Sequence, residues 1–168
     1  MGLANIISIL ENNMQNQQTL FPGIVACPPR PIVDDAVIRK AAEKFCSAHS
    51  LDDAAADDIV EVFDESKDGY DIAKELDNYY GWSMNSSMVS DLDDLAHEVY
   101  ILVRKAVINW VEDFGVKPKL TVDTVCSRGV IKGFDEKTAM YKVKENGCTN
   151  PSRFLLLDYE KVEKELGV

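Results

Sequence analysis

The chain has 168 residues, 46% of them apolar, and a net charge of −11. That length holds one domain, or one domain and a small appendage, and it buries a core without help from disulfides or metals. The apolar content argues against wholesale disorder, and no apolar run reaches the roughly 18 residues that a membrane-spanning helix needs.

The opening residues, MGLANIISILENN, have no basic stretch and carry Glu11 early, so they do not read as a signal peptide. Position six is Ile6, not the small hydroxyl residue that myristoylation requires. The expected location is the cytoplasm. Cys27, Cys46, Cys126 and Cys148 form no C-x-x-C pair, so neither a zinc ribbon nor a redox motif is present, and a cytosolic address keeps the thiols reduced.

In chain order, Ile6, Ile7, Leu10 and Met14 form one helical stripe over residues 4–15. Residues 16–33 carry four prolines and cannot be helix, yet they retain Leu20, Phe21, Ile24 and Val25. This stretch reads as a strap laid over a core. Asp34 or Asp35 caps a helix over 35–48, with Ile38, Ala41, Ala42 and Phe45 as its buried face. Ser50 opens a third helix in which Leu51, Ala55, Ile59 and Val62 face inward. Asp68 caps a fourth over 69–80, which Gly81 ends. Ser87 or Ser90 starts the longest helix, about 90–114, which Gly115 and Pro118 stop. The second half of that helix is apolar almost all round. Tyr100, Ile101, Val107, Ile108, Trp110 and Val111 are therefore expected either at the centre of the bundle or against a second subunit in a homodimer.

From Leu120 the apolar period becomes two. Leu120, Val122 and Val125 suggest a first strand, GVIKGFD a second, TAMYKVKE a third and SRFLLLDY a fourth, and YEKVEKEL suggests a closing helix. The expected class is α+β. An acidic N-terminal bundle of four or five helices, residues 1–116, precedes a small SH3-like β-barrel or antiparallel meander, residues 117–168, packed on the long helix.

Charge is unevenly placed. Residues 51–113 hold 17 Asp and Glu against four Lys and Arg, while residues 114–168 hold eight acidic and ten basic side chains. The middle third repels phosphates, so it is not expected to bind nucleic acid. It attracts a partner with a basic surface. Asp53, Asp57, Asp58, Glu61, Asp64 and Glu65 are the candidate contact residues, most of them one helical turn apart.

Few motifs carry chemistry. Asp64, Ser66, Asp68, the Tyr70 carbonyl and Glu75 follow the spacing of a calcium-binding loop with Gly69 at its turn. Asp71 stands where that loop wants an aliphatic residue, and no sister loop is present. The plainer reading is that Asp68 and Gly69 start a helix. His49 and His97 lie far apart in sequence, and no nucleophile elbow or phosphate loop is present. No catalytic residue, metal or cofactor is expected. Lys132, Lys137, Lys142, Lys144 and Arg153, with Phe134, Tyr141 and Phe154, give the β-module a mildly basic, aromatic character that can serve nucleic acid. Asp135, Glu136, Glu145 and Asp158 nearly cancel the charge, which favours a structural role for the module.

The runs GYDIAKELDNYYGW, INWVEDFGVKPKL, RGVIKGF and YKVKENGC, spread over about residues 68–157, resemble small accessory proteins of tailed bacteriophages. The resemblance implies a protein made in the bacterial cytoplasm and supplies no active-site residues. Small acidic proteins of this kind look like stoichiometric inhibitors of host nucleic-acid-handling or defence complexes, of the anti-CRISPR or anti-restriction type, which set carboxylates against a basic groove. Two other readings stand beside it: a structural or regulatory homo-oligomer, and a nucleic-acid accessory factor that uses the β-module.

Overall fold

The computed structural model describes residues 27–168. The helix expected over 4–15 and residues 16–26 of the strap lie outside the described residues. The architecture is α+β: five helices, then a four-stranded antiparallel sheet, then a last short helix. We label the helices α1 (Asp35–Ala48), α2 (Asp53–Val62), α3 (Gly69–Tyr80), α4 (Ser86–Asp93), α5 (Leu95–Phe114) and α6 (Tyr159–Leu166). The strands are β1 (Val125–Cys126), β2 (Gly129–Asp135), β3 (Met140–Glu145) and β4 (Leu155–Asp158). Among the described residues no helix is long and apolar enough to cross a membrane.

Local signals set the starts of the first four helices. Asp34, Asp52, Asp68 and Asn85 each accept a hydrogen bond from the backbone N–H three residues on, at 2.9, 3.1, 2.8 and 3.0 Å. Each satisfies a donor that the first helical turn leaves open. The cap of α2 is thus Asp52. Ser50, expected to open that helix, instead turns the chain at φ 57°. The expected long helix begins earlier, at Ser86, and is interrupted at Asp94 to give α4 and α5. Near this break α3 begins against α4. The Gly69 N–H donates to Asp93 Oδ1 at 2.6 Å, and a Cβ on Gly69 would run into the backbone of Val89 and Asp93.

Two cores result. The first joins α1 to α4 with the start of α5 and is centred on Ile59, Ile72, Leu76, Leu92 and Val99. Burying each of these aliphatic side chains contributes about 1.5–3 kcal/mol. The second joins Val107, Trp110 and Val111 of α5 with Ile131, Tyr141, Val143, Tyr159 and Val162. The change from one core to the other therefore falls within α5, between Val99 and Val107.

The sheet is a meander in the order β1-β2-β3-β4, each strand antiparallel to the next. Ala139, Tyr141 and Val143 share its inner face and are fully buried. The first strand is shorter than expected. Val122 is exposed and Asp123 takes φ 68°, so the regular ladder begins only at Val125, although the Asp123 N–H and the Thr124 carbonyl already bond to the Ile131 backbone at 2.7 and 2.9 Å. Gly129 is required at the start of β2, where φ is 155° and any Cβ would meet the Lys144 carbonyl. Helix α6 closes the gap between the two edge strands. It packs on both β1 and β4, and Glu165 accepts from the Ser127 N–H at 2.7 Å and hydroxyl at 2.9 Å. Glu163, buried on the same helix, accepts from the Tyr141 hydroxyl at 2.8 Å and the Lys119 N–H at 2.9 Å. That carboxylate ties the chain leaving α5 to the sheet.

Candidate functional site

The acidic face of α2 forms through Asp53, Asp57, Asp58 and Glu61, whereas Asp64 and Glu65, expected to continue it, lie beyond the helix end at Val62, where Phe63 turns extended; much of this surface has internal work. Asp57 pairs with Arg39 of α1. Asp58 accepts from Trp82 Nε1 at 2.9 Å, Glu61 accepts from the Tyr80 hydroxyl at 2.6 Å, and Asp64 accepts from the Ser66 N–H and hydroxyl at 2.8 and 2.7 Å. The Tyr80 hydroxyl, bonded to the Glu61 carboxylate, is pushed up to about 12, while the bonds from Ser66 hold Asp64 below the usual carboxylate range. Asp53 and Glu65 are exposed and have no hydrogen-bond or ion-pair partner among the described residues. Of the 17 carboxylates between residues 51 and 113, only Asp57, Glu75, Asp91 and Glu98 face a Lys, Arg or His side chain among the described residues. The negative field of the bundle is therefore largely uncompensated.

The residues of the calcium-like spacing are not brought together around a common centre. Asp68 caps α3, and Glu75 is turned to Lys67, whose ammonium lies 2.8 Å from it and 2.9 Å from the Val62 carbonyl. The Tyr70 side chain is exposed, and Asp64 and Ser66 close a turn on each other. Among the described residues no group of three or more His, Cys, Asp or Glu side chains is placed to hold a metal ion. His49 bridges to Asp91 at 2.8 Å and ties the end of α1 to α4. His97 is exposed beside Tyr100.

The long helix is not buried on every side. Val107, Trp110 and Val111 enter the second core, and Ile108 is half-buried. Tyr100 and Ile101 are 56% and 43% exposed. They sit where α5 passes between the cores, so neither core covers that side.

The described part of the strap carries a feature that no sequence signal announces. Arg30 donates to the carbonyls of Thr138 at 2.9 Å and Ala139 at 2.7 Å and to Glu160 at 3.2 Å, and it lies 3.7 Å from Asp158. Its guanidinium is 5.3 Å from the centre of the Trp110 ring, whose Nε1 donates to the Pro28 carbonyl at 2.9 Å. One arginine and one tryptophan thus fasten the strap across α5 onto the β2–β3 turn. Beside this latch the strap, α5 and the sheet enclose a groove of about 290 Å³. Its walls are mainly apolar, from Ile32, Val33, Val103, Val107, Met140 and Leu156. Thr138, also in the wall, is buried with its hydroxyl unpartnered among the described residues.

On the β-module, Tyr141 is fully buried and Phe134 packs edge-on against it and Tyr159, so neither offers a stacking platform. Phe154 is 42% exposed. Lys132 is paired with Asp123 at 2.6 Å. Compared with models of known protein families, with curated proteins and with solved structures, the chain matches none.

Proposed function

We propose that the chain is a non-enzymatic interaction protein whose acidic helical surface occupies the basic groove of a host nucleic-acid-handling or defence complex, in the manner of a phage-encoded inhibitor acting in the bacterial cytoplasm. The observation that carries this reading is the uncompensated negative field over α2 to α4. Carboxylates held by Trp82 and Tyr80 keep fixed positions, as a substitute for a phosphate backbone must, and those without internal partners are available to a basic surface. The resemblance to bacteriophage accessory proteins agrees with it.

The test compares two baits in bacterial lysate, the native protein and a variant carrying Asp53→Asn, Glu65→Gln, Asp71→Asn and Asp77→Asn. All four side chains are exposed and unpartnered among the described residues, so the fold is left alone. The native bait is expected to capture a nucleic-acid-binding protein that leaves at moderate salt and is displaced by added DNA, and the variant to capture none. Equal capture by both baits refutes the acidic surface. No capture, with a discrete oligomer by light scattering, favours a structural assembly built on the open side of α5 at Tyr100 and Ile101.

A further inference from the structure

The outer face of the sheet is the chemical opposite of the bundle. Met140, Lys142 and Lys144 point outward because Tyr141 and Val143 between them are buried. The register sets Leu156 beside Lys142, and the Lys144 ammonium lies 5.8 Å from the centre of the Phe154 ring. Leu156 is 48% exposed. This face runs directly into the groove, since Met140 and Leu156 belong to both, and Arg104 stands on the groove's helical wall.

The cations here lack counter-ions. Among the described residues Lys142 and Arg153 have no acidic partner, and Arg104 makes only a 3.5 Å contact with the Tyr100 hydroxyl. Lys144 is held by neutral atoms, the carbonyls of Asn150 and Arg153 and the Cys148 sulfur. In a chain of net charge −11, one such cation on the groove wall, Arg104, and three on the sheet face that adjoins it, Lys142, Lys144 and Arg153, mark a surface with its own partner.

We infer that this surface docks an extended segment of a partner protein in which one or two large apolar side chains are followed by acidic residues. The apolar side chains enter the groove, whose volume suits one or two of them. The acidic residues continue over Lys142, Lys144 and Arg153, which fixes the direction of the segment. Tyr100 lines the groove and Phe154 borders the basic face, but most of the groove wall is aliphatic, which suits an apolar side chain better than a row of stacked nucleobases. Asp135, which also lines the groove and has no cationic partner among the described residues, opposes phosphate there. The inference does not rest on the acidic-surface reading: it concerns the other core and a charge of the other sign.

The test uses the full chain and fluorescence polarisation. The probes are ten-residue peptides with a Leu–Phe pair and four glutamates at every spacing, each beside a twin with lysine for glutamate. A glutamate peptide is expected to bind with a Kd on the order of 100 µM. Binding should weaken roughly tenfold or more in Leu156→Asp and in the Lys142→Glu, Lys144→Glu double variant, and stay unchanged in Asp53→Asn, Glu65→Gln. Circular dichroism confirms that each variant is folded. Equal binding of the twins, indifference to both substitutions, or tighter binding of a ten-nucleotide oligothymidylate overturns the inference. So does a dimer that Leu156→Asp dissociates, because the face then belongs to a second copy.

Discussion

Arg30→Ala tests whether the strap holds the β-module to the long helix. The side chain is 12% exposed, and its guanidinium makes the three hydrogen bonds to Thr138, Ala139 and Glu160 as well as the approach to Trp110. A hydrogen bond from a charged donor is worth about 1.5–3 kcal/mol net, and a cation over an aromatic ring about 0.5–2 kcal/mol. Not all of this is lost. The Ala139 carbonyl keeps the Tyr159 N–H at 3.0 Å, and Asp158 keeps Lys161 at 2.7 Å. Glu160 is partly exposed and returns to water. The remaining loss comes chiefly from the orphaned Thr138 carbonyl and the uncovered Trp110 ring, about 3 kcal/mol. For a chain of this size that lowers the midpoint of thermal unfolding by roughly 6–12 °C. Arg30→Lys should recover less than half, because an ammonium cannot fork between two carbonyls. Thermal melts followed by circular dichroism read the midpoint. Tryptophan emission in a Trp82→Phe background reads Trp110 alone and should shift to the red. A midpoint change under about 2 °C with unchanged Trp110 emission would refute the reasoning.

Burial pushes the Tyr141 and Tyr159 hydroxyls up to about 12 and the Cys46 thiol up to about 11. Groups raised in the folded state stabilise it fully below their ordinary values and cease to do so as pH climbs through the raised ones. Stability should therefore fall between about pH 9 and 12, read by urea denaturation at stepped pH; a stability that stays level across that window contradicts this. Cys27 is exposed, whereas Cys46 lies in the first core and Cys126 in the second. A thiol reagent should label Cys27 at once and both buried thiols only on unfolding, and labelling of Cys126 well before Cys46 would show that the cores open separately. Gly69→Ala should cost about 1–3 kcal/mol by forcing α3 away from α4, measured by urea denaturation, and a neutral result would mean that the two helices separate without cost.

The elements whose signals are local were legible. Helices α1 and α3 begin and end where the caps Asp34 and Asp68, the apolar period and Gly81 place them, and the inner face of β3 follows from simple alternation. The interruption at Asp94 was not, because its backbone angles stay close to helical and the apolar period runs on through it. Asp53, Asp57 and Glu61 lie on an exposed face of α2 as their spacing implied, but Asp58 is half-buried, Asp64 and Glu65 fall beyond the helix end, and the partners Arg39, Tyr80 and Trp82 come from outside α2. The latch at Arg30 and the groove beside it were invisible for a stronger reason. Arg30 bonds main-chain carbonyls 108 and 109 residues away, and a carbonyl has no side-chain identity to read. The groove is assembled from the strap, the middle of α5 and the sheet, three segments distant in sequence, so no window of sequence contains it.

Because one uninterrupted helix serves both cores, the spacing from Val99 to Val107 sets an angular phase as well as a distance. Each residue added to an α-helix turns the part of the helix beyond it by about 100° and advances that part about 1.5 Å. A single insertion in that stretch would swing the sheet, its cations and the groove a quarter-turn or more around the axis of α5, away from the strap that is anchored at the bundle end through α1. An insertion of seven would restore the facing to within about 20° but move the sheet more than about 10 Å along the axis, beyond the latch. The middle of α5 thus has little freedom in length, although its exposed side leaves it considerable freedom in residue type.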